Sequence, residues 1–305
     1  MVAALMRFVS CDWGTSTFRL RLMGFPEPKE VRTDEGTAKL AALGPAGPER
    51  AALFEATLRR GLEQLGAPPD LPLLISGMAS SSIGWKELPY ARLPFALDGR
   101  DVVREELQPH VHLLSGLRSD TDILRGEETE ALGLAAMLGD ELPARALFVL
   151  PGTHSKHLEI ESGRIVNLRT YMTGELFELL ARQSVLRHST DPDAPLMAEA
   201  FQEGVETAQR QPLTSALFKV RTRQVLERRD AASNASFLSG LLIGAELASL
   251  AAADAPVFVA SNERLRSLYA TAGQTLKLSA RLGTVASDSL AAKGQEVLLR
   301  RILPG

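Results

Sequence analysis

The chain has 305 residues, 45% of them hydrophobic and 23% charged, with a formal net charge of −3. That composition is ordinary for a globular protein, and the length suffices for one large or two medium domains with real cores. It gives no basic field for nucleic acid or an anionic membrane, so any bound anion must be held by local groups. The single cysteine, Cys11, excludes an intramolecular disulfide and suits a reducing compartment. The apolar run from Met1 to Ser10 is short, ends at Asp12 and lacks a small-residue cleavage site, so no signal peptide is expected. No apolar run approaches the roughly 20 residues that span a bilayer. A cytoplasmic location is expected.

In chain order, Phe8 to Cys11 reads as a strand, Asp12 to Thr17 as a turn, and Phe18 to Leu22, alternating apolar and charged, as the returning strand of a hairpin. Gly47 to Gly66 reads as a helix with Phe54, Leu58, Leu62 and Leu65 on one face and Gly66 as its stop. Pro72 to Ser76 is a buried strand running into Gly77 to Trp85, a loop too small and polar for an element. Val111 to Leu114 is a strand, and Gly126 to Leu138 a helix with two acids at its start. Ala146 to Leu150, Ser155 to Ile160 and Ile165 to Thr170 are strands separated by turns at Pro151–His154 and Ser162–Arg164. The remainder reads as mainly helical, over Glu175–Leu186, Met197–Gln209, Phe237–Ala253, Glu263–Ala272 and Ser289–Ile302. Short strands are expected at Val257–Ala260 and Lys277–Ser279, and irregular chain at His188–Pro195 and the charge-rich Arg221–Asp230.

The sequence contains no G-x-x-x-x-G-K-[ST] loop, no G-x-G-x-x-G, no G-x-S-x-G elbow and no protein-kinase H-R-D set. His154 and His157 are three apart on extended chain, which sends them to opposite faces and suits chelation poorly. What stands out is a repeated unit. Strand, Gly-Thr turn and strand occur at Gly14-Thr15 and again at Gly152-Thr153, 138 residues apart. Two such hairpins suggest two domains of related build facing each other. A glycine turn lets the backbone approach a phosphate, and neighbouring hydroxyls add donors without bulk. Asp12 beside the first turn is suited to Mg²⁺, which takes one or two carboxylates together with water and phosphate oxygens. An ordinary hairpin with a polar turn would look the same at this level.

Six blocks in order along the chain resemble the 2-dehydro-3-deoxygalactonokinase family, in the sugar-kinase branch of the actin, hexokinase and Hsp70 superfamily. They are Asp12-Trp13-Gly14-Thr15-Ser16, Ser76-Gly77-Met78 with Gly84-Trp85 and Pro89-Tyr90, and Arg125-Gly126-Glu127-Glu128-Thr129. Pro151-Gly152-Thr153-His154-Ser155-Lys156, Met172-Thr173-Gly174-Glu175-Leu176 and Phe237 to Glu246 complete the set. The resemblance implies an α/β fold of two actin-like (ribonuclease H-like) ATPase domains with an interdomain active-site cleft. Residues 1–140 would hold the first phosphate hairpin and the sugar-acid pocket, and residues 141–305 the second phosphate hairpin and the adenosine site. The implied activity is ATP-dependent phosphorylation of 2-dehydro-3-deoxy-D-galactonate to its 6-phosphate, with Mg²⁺.

The resemblance also implies roles. Gly14, Thr15 and Ser16 on one side, and Gly152, Thr153, His154, Ser155 and Lys156 on the other, would hold ATP phosphates. Val257 to Ala272, with Gly244 on the preceding helix, would receive adenosine, although helix packing explains Gly240 and Gly244 as readily. Asp12 would hold the metal. Leu150 stands where many superfamily members carry a second Asp, so a metal contact from the second domain is not expected. Gly77, Met78, Gly84 and Trp85 would frame the sugar acid. Glu175 either complements its helix dipole or contacts substrate. Glycerol kinase and its relatives open the helix before the second hairpin with Gly-Asp, the Asp accepting the acceptor proton. Here Gly126-Glu127 opens that helix, making Glu127 the expected base and Glu128 the alternative one position on. Arg19 and Arg21 read as solvated strand charges or phosphate contacts, and Cys11 as a core residue. The partners expected are a small sugar acid and ATP, not nucleic acid or membrane; a symmetric homodimer is common among such enzymes. Competing readings are a kinase for another sugar or sugar acid, a non-catalytic sugar sensor, for which no basic extension precedes Phe8, and a phosphohydrolase acting on long polyanions.

Overall fold

The structure, a computed structural model, describes residues 6–250 and 254–303. Half of the N-terminal apolar run and the last three residues of the Ala/Leu-rich stretch lie outside the described residues. The chain divides into two compact units. The first takes the chain up to Ala144, Glu159–Leu168 and the segment from Ser287; the second takes Arg145–Leu158 and Arg169–Ala286.

In the first unit, β1 (Phe8–Trp13), β2 (Phe18–Met23) and β3 (Lys29–Thr33) form an antiparallel meander, with Asp12 opposite Arg19. The alternation of Phe18, Leu20 and Leu22 inward with Arg19 and Arg21 outward is the burial pattern observed for β2. α1 (Thr37–Leu43) and α2 (Pro48–Leu65) follow. α2 has proline in its first turn and stops at Gly66, whose φ of 66° lets its N–H cap the carbonyls of Leu62 and Glu63. β4 (Leu73–Gly77) is fully buried and pairs parallel with β1. The two residues Phe95–Ala96 form β5, and β6 (Arg104–Gln108) and β7 (Val111–Leu114) extend the sheet to the order β3-β2-β1-β4-β7-β6. Trp13 packs its ring 4.4 Å from Phe18 and 4.7 Å from Phe54, all three being essentially inaccessible. Each such ring contributes roughly 1.5–3 kcal/mol by leaving water, as an upper estimate. α3 (Glu127–Leu138) completes this part.

A second sheet holds β8 (Arg145–Leu150), β9 (Ser155–Glu161), β10 (Arg164–Tyr171), β11 (Val257–Ser261) and β12 (Leu282–Ala286) in the order β10-β9-β8-β11-β12, with β5 antiparallel beside β10. β11 is parallel to both β8 and β12. That order repeats β3-β2-β1-β4-β7 of the first unit, in which β4 is parallel to both β1 and β7. The helices are α4 (Thr173–Arg182), α5 (Ala198–Arg210), α6 (Lys219–Glu227), α7 (Ala231–Ala248) and α8 (Glu263–Thr275). α7 is apolar nearly all round and correspondingly buried. Its start, six residues ahead of the expected Phe237, is fixed by Asp230, whose side chain accepts from Ser233 N at 2.8 Å.

Three expectations need correction. The charge-rich Arg221–Asp230 is not irregular but mostly α6, because Arg223 is buried, bonded to Asn234 and Glu203 and stacked 4.2 Å over Phe237. Lys277–Ser279 is not a strand but a turn: Lys277 has a φ of 59°, Leu278 tucks into the core, and the strand comes later as β12. Nor does everything after residue 140 belong to the second unit. The last helix, α9 (Leu290–Ile302), is counted with the first. It lies so close to α3 that a Cβ on Gly133 would run into Leu290 and one on Gly294 into Thr129. Its buried Gln295 amide donates to Cys11 O and Ser76 Oγ, each at 2.9 Å, pinning β1 and β4 side by side.

Candidate active site

In the first unit candidate site residues gather at the carboxyl ends of the parallel strands β1 and β4, where Asp12 lies opposite Ser76 and Trp13 opposite Gly77. The Asp12 carboxylate, one-third exposed, accepts from Arg19 Nη2 at 2.6 Å. Beyond it Thr15 and Ser16 stand exposed at the tip of the turn. The start of α1 braces that turn from behind. Thr37 N donates to Gly14 O and Ala38 N to Thr15 O, each at 3.0 Å, and Gly36 sits so close that a Cβ would overlap the Thr15 carbonyl.

The loop after β4 contains one 3₁₀ turn, Met78–Ser80, and is mostly buried rather than open. Arg125 folds it: its guanidinium donates to Ser80 O and, at 2.6 Å, to Ser80 Oγ, and lies 4.1 Å over the Tyr90 ring. Gly77 (φ 94°) and Gly126 (φ 111°) both occupy backbone conformations that exclude a side chain, and a Cβ on Gly126 would stand 3.2 Å from Gly77 Cα. This close approach brings the loop against the N-terminus of α3. There Glu127 Oε2 accepts from Arg125 N at 3.0 Å and Glu128 Oε2 from Gly126 N at 2.6 Å. Glu128 is fully buried, and burial together with the charge of Glu127 pushes its pKa up to about 8. Glu130, partly exposed one turn along, is likewise pushed up to about 8, by desolvation and then by Asp12 and Glu127. Cys11 is buried in the core and its thiol pKa is raised by that burial, as suits an inert residue.

In the second unit the Pro151–His154 turn follows β8. It is braced as the first one is: Glu175 N, at the start of α4, donates to Thr153 O at 2.9 Å, and a Cβ on Gly174 would overlap Gly152 O. Beside the turn opens a cavity of about 640 Å³. Gly152, Thr153 and Thr173 line one end; Ser239 and Ile243 of α7 and the face of α8 from Asn262 to Tyr269 line its walls. Asn262 caps α8 by accepting from Leu265 N at 3.1 Å, so it replaces the usual glycine-rich turn with a side-chain cap. A cavity of this size with one polar end suits a nucleotide-sized ligand.

The remaining expected residues fall as follows. His154 is exposed and paired with Glu175 at 2.5 Å, so Glu175 orients a turn residue as well as complementing its helix. Ser155 is fully buried and donates to Glu246, and Lys156 Nζ donates to Thr170 at 2.8 Å; both serve the hairpin beneath the turn rather than its open tip. Gly244 is not on the cavity wall. It faces α5, where a Cβ would stand 2.8 Å from Val205 Cα, so the packing reading is the correct one. Gly84 folds the loop onto Ala79, and the Trp85 ring packs 6.1 Å from Phe54 and 6.3 Å from Trp13, on the core rather than in a sugar pocket. Gly174, Arg125 and Glu246 stand in the six blocks without an assigned role, and Gly36 stands outside them; their contacts appear only in the folded chain. Among the described residues no cluster of three or more His, Cys, Asp or Glu is arranged to hold a metal. Mg²⁺ carried on phosphate oxygens needs only one or two protein carboxylates, and Asp12 at the strand end meets that requirement.

Two sheets that share a five-strand order, each with a braced Gly-Thr turn, define a two-domain ATPase fold of the actin-like class. The chain is about 11% identical, with a TM-score of 0.50, to the activator of 2-hydroxyisocaproyl-CoA dehydratase from Clostridium difficile, covering 97% of both chains, a likeness that shows the fold alone. More specifically, residues 12–296 match the 2-keto-3-deoxy-galactonokinase family, and the chain belongs to it. It is 34% identical to a probable 2-dehydro-3-deoxygalactonokinase of Rhizobium meliloti over 97% of this chain and 98% of that one. It is 33% identical to the 2-dehydro-3-deoxygalactonokinase of Escherichia coli over 80% of each. A crystal structure of a Sinorhizobium meliloti protein described as the same kinase superposes with a TM-score of 0.85 at 34% identity, covering 98% of this chain and 100% of that one. The protein is therefore a sugar kinase, a phosphotransferase with an alcohol acceptor.

Proposed function

We propose that the chain transfers the terminal phosphoryl group of Mg-ATP to the 6-hydroxyl of 2-dehydro-3-deoxy-D-galactonate, with Glu127 as the base. The observation that carries this reading is the doubled Gly-Thr turn, each copy held from behind by a glycine at a helix start. A phosphate needs a backbone that can approach closely and does not move, and both conditions are met at both turns.

The cavity of the second unit takes the nucleoside, with Gly152 and Thr153 at its polar end for the phosphates. Thr15 and Ser16, exposed on the first turn, present hydroxyls to phosphate oxygens. Asp12 would hold Mg²⁺ through one carboxylate, and the metal supplies charge neutralisation on the transferring group. The sugar acid is met by the segment Gly77–Ser81 and the start of α3, where Glu127 orients the acceptor hydroxyl and accepts its proton as phosphorus is attacked. Glu128, fully buried and bonded to Gly126 N, sets the helix start instead of touching substrate. His154, held by Glu175, adds a donor beside the second turn. Among the described residues no helix is long and apolar enough to cross a membrane.

Coupled ADP release tests the reading. Turnover should require the sugar acid and Mg²⁺, and the neutral sugar of the same length should be a far poorer substrate. Equal turnover of acid and neutral sugar would refute the sugar-acid assignment.

A further inference from the structure

Glu246 lies on α7 with 2% of its surface exposed, and the site described above does not use it. A buried carboxylate is expensive unless its lone pairs are filled. Here all are. Oε1 accepts from Ser155 Oγ at 2.7 Å and His157 Nε2 at 2.8 Å; Oε2 accepts from Tyr269 OH at 2.8 Å and from Thr173 Oγ1. Four donors on two oxygens is the full capacity of an ionised carboxylate. Facing a carboxylate oxygen, which only accepts, His157 is assigned its proton on Nε2, with the 4.5 Å Tyr171 ring contact holding the imidazole in place. Tyr269 is kept protonated, and so a donor, because burial and the adjacent Glu246 charge raise its pKa.

The origin of those donors is what gives the cluster meaning. Ser155 and His157, two apart on one face of β9, belong to the strand that leaves the second Gly-Thr turn. Thr173 opens α4, the helix that braces that turn, and Tyr269 stands on α8, the wall of the cavity. Thr173 and Tyr269 themselves line the cavity. One carboxylate on a fourth element therefore ties together the turn, its brace and the opposite wall. If packing alone were required, an apolar side chain of the same volume would serve as well or better.

We infer that Glu246 is a positioning residue for the nucleotide: its carboxylate fixes the spacing between the second Gly-Thr turn and α8, and so the shape of the cavity that takes ATP. This rests on the assignment of that cavity to the nucleotide. Binding of ADP to the full-length protein by calorimetry tests both, with Glu246→Gln, His157→Leu and Ser239→Trp compared with the parent. Neither His157 nor its ring neighbour Tyr171 lines the cavity, and it is through the Glu246 carboxylate that His157 is bonded to the cavity-lining Thr173 and Tyr269. Glu246→Gln should weaken ADP by about tenfold and His157→Leu by about threefold, charge-assisted bonds being the strong ones. KM for the sugar acid should stay within about twofold in both, a split that general loosening of the fold would not produce. Ser239→Trp should abolish ADP binding by filling the cavity. If it does, while Glu246→Gln and His157→Leu bind ADP like the parent, the positioning role is overturned and the cavity assignment stands. Parallel losses for ADP and sugar acid also overturn it. If Ser239→Trp binds ADP normally, the cavity assignment fails and takes this inference with it. Should Glu246→Gln fail to fold, His157→Leu decides alone.

Discussion

Alanine at Gly174 sets two effects of opposite sign against each other. Gly174 is the second residue of α4, and replacing a helical glycine by alanine favours the helix by up to about 1 kcal/mol. Its Cβ, however, would stand 3.0 Å from Thr153 Cα and O and closer still to Gly152 O, where ordinary contact begins at 3.4 Å. All of these are backbone atoms of the turn, so no side chain can rotate out of the way. The turn must retreat by about 1 Å, and overpacking of this kind costs about 1–3 kcal/mol. The two terms nearly cancel in stability, leaving a Tm change of a few °C at most. They do not cancel in catalysis, where a misplacement of about 1 Å costs on the order of 10²-fold. Steady-state ADP release should therefore show kcat/KM for ATP reduced about 10²-fold, beside a calorimetric Tm close to that of the parent. Gly283→Ala on β12, where a Cβ meets nothing within 4 Å, is the control and should change neither. Full activity in Gly174→Ala would mean that the second turn does not hold the phosphates, and the catalytic reading would fall with it.

The other predictions concern the first unit. Glu127→Gln should lower kcat on the order of 10²- to 10⁴-fold with ATP affinity little changed; a loss below about fivefold would move the base elsewhere. Asp12→Asn should keep the fold, losing most turnover, and near-normal rates at low Mg²⁺ would make Asp12 structural. Glu128 carries a folded pKa of about 8 against an ordinary 4.5, so the folded chain holds a proton that the unfolded chain releases between those values. Its contribution to stability is complete below about pH 4.5 and is lost as pH rises toward 8. Calorimetric Tm across that range should fall less in Glu128→Gln than in the parent, and an identical slope in the two would contradict the buried, protonated carboxyl.

Much of this molecule can be read in its sequence, and the failures have physical causes. Strands such as Phe18–Met23 and the capped helix Pro48–Leu65 declare themselves because burial alternates with period two in one and the stop glycine ends the other. α6 is hidden because its buried Arg223 is neutralised by Glu203 and hydrogen-bonded to Asn234, partners outside the segment. The return of α9 to the first unit depends on glycine contacts between helices about 160 residues apart, which no local pattern records. Gly244 reads as a ligand glycine for the same reason: close approach to a phosphate and close approach to another helix demand the same missing Cβ.

The braces behind the two turns are a different matter, because their signal was present. Gly14 and Gly36 are separated by 22 residues, and so are Gly152 and Gly174. The offset between the copies is 138 residues at both the turn and the brace. A single Gly-Thr pair repeated once is weak, since such pairs occur in many turns. Two glycines recurring at one offset, with the brace glycine of each pair, Gly36 and Gly174, in a contact no Cβ could survive, point to a duplicated device. In each unit the chain needs 22 residues to leave the turn by a strand, cross to the sheet edge and return as a helix whose first amides fall on the turn's carbonyls. The helix that closes on the turn is thus an obligatory part of the proposed phosphate site. That is why substitution at Gly36, whose Cβ would press on the backbone of Thr15 and Ser16, should cost as much turnover as substitution at Gly174.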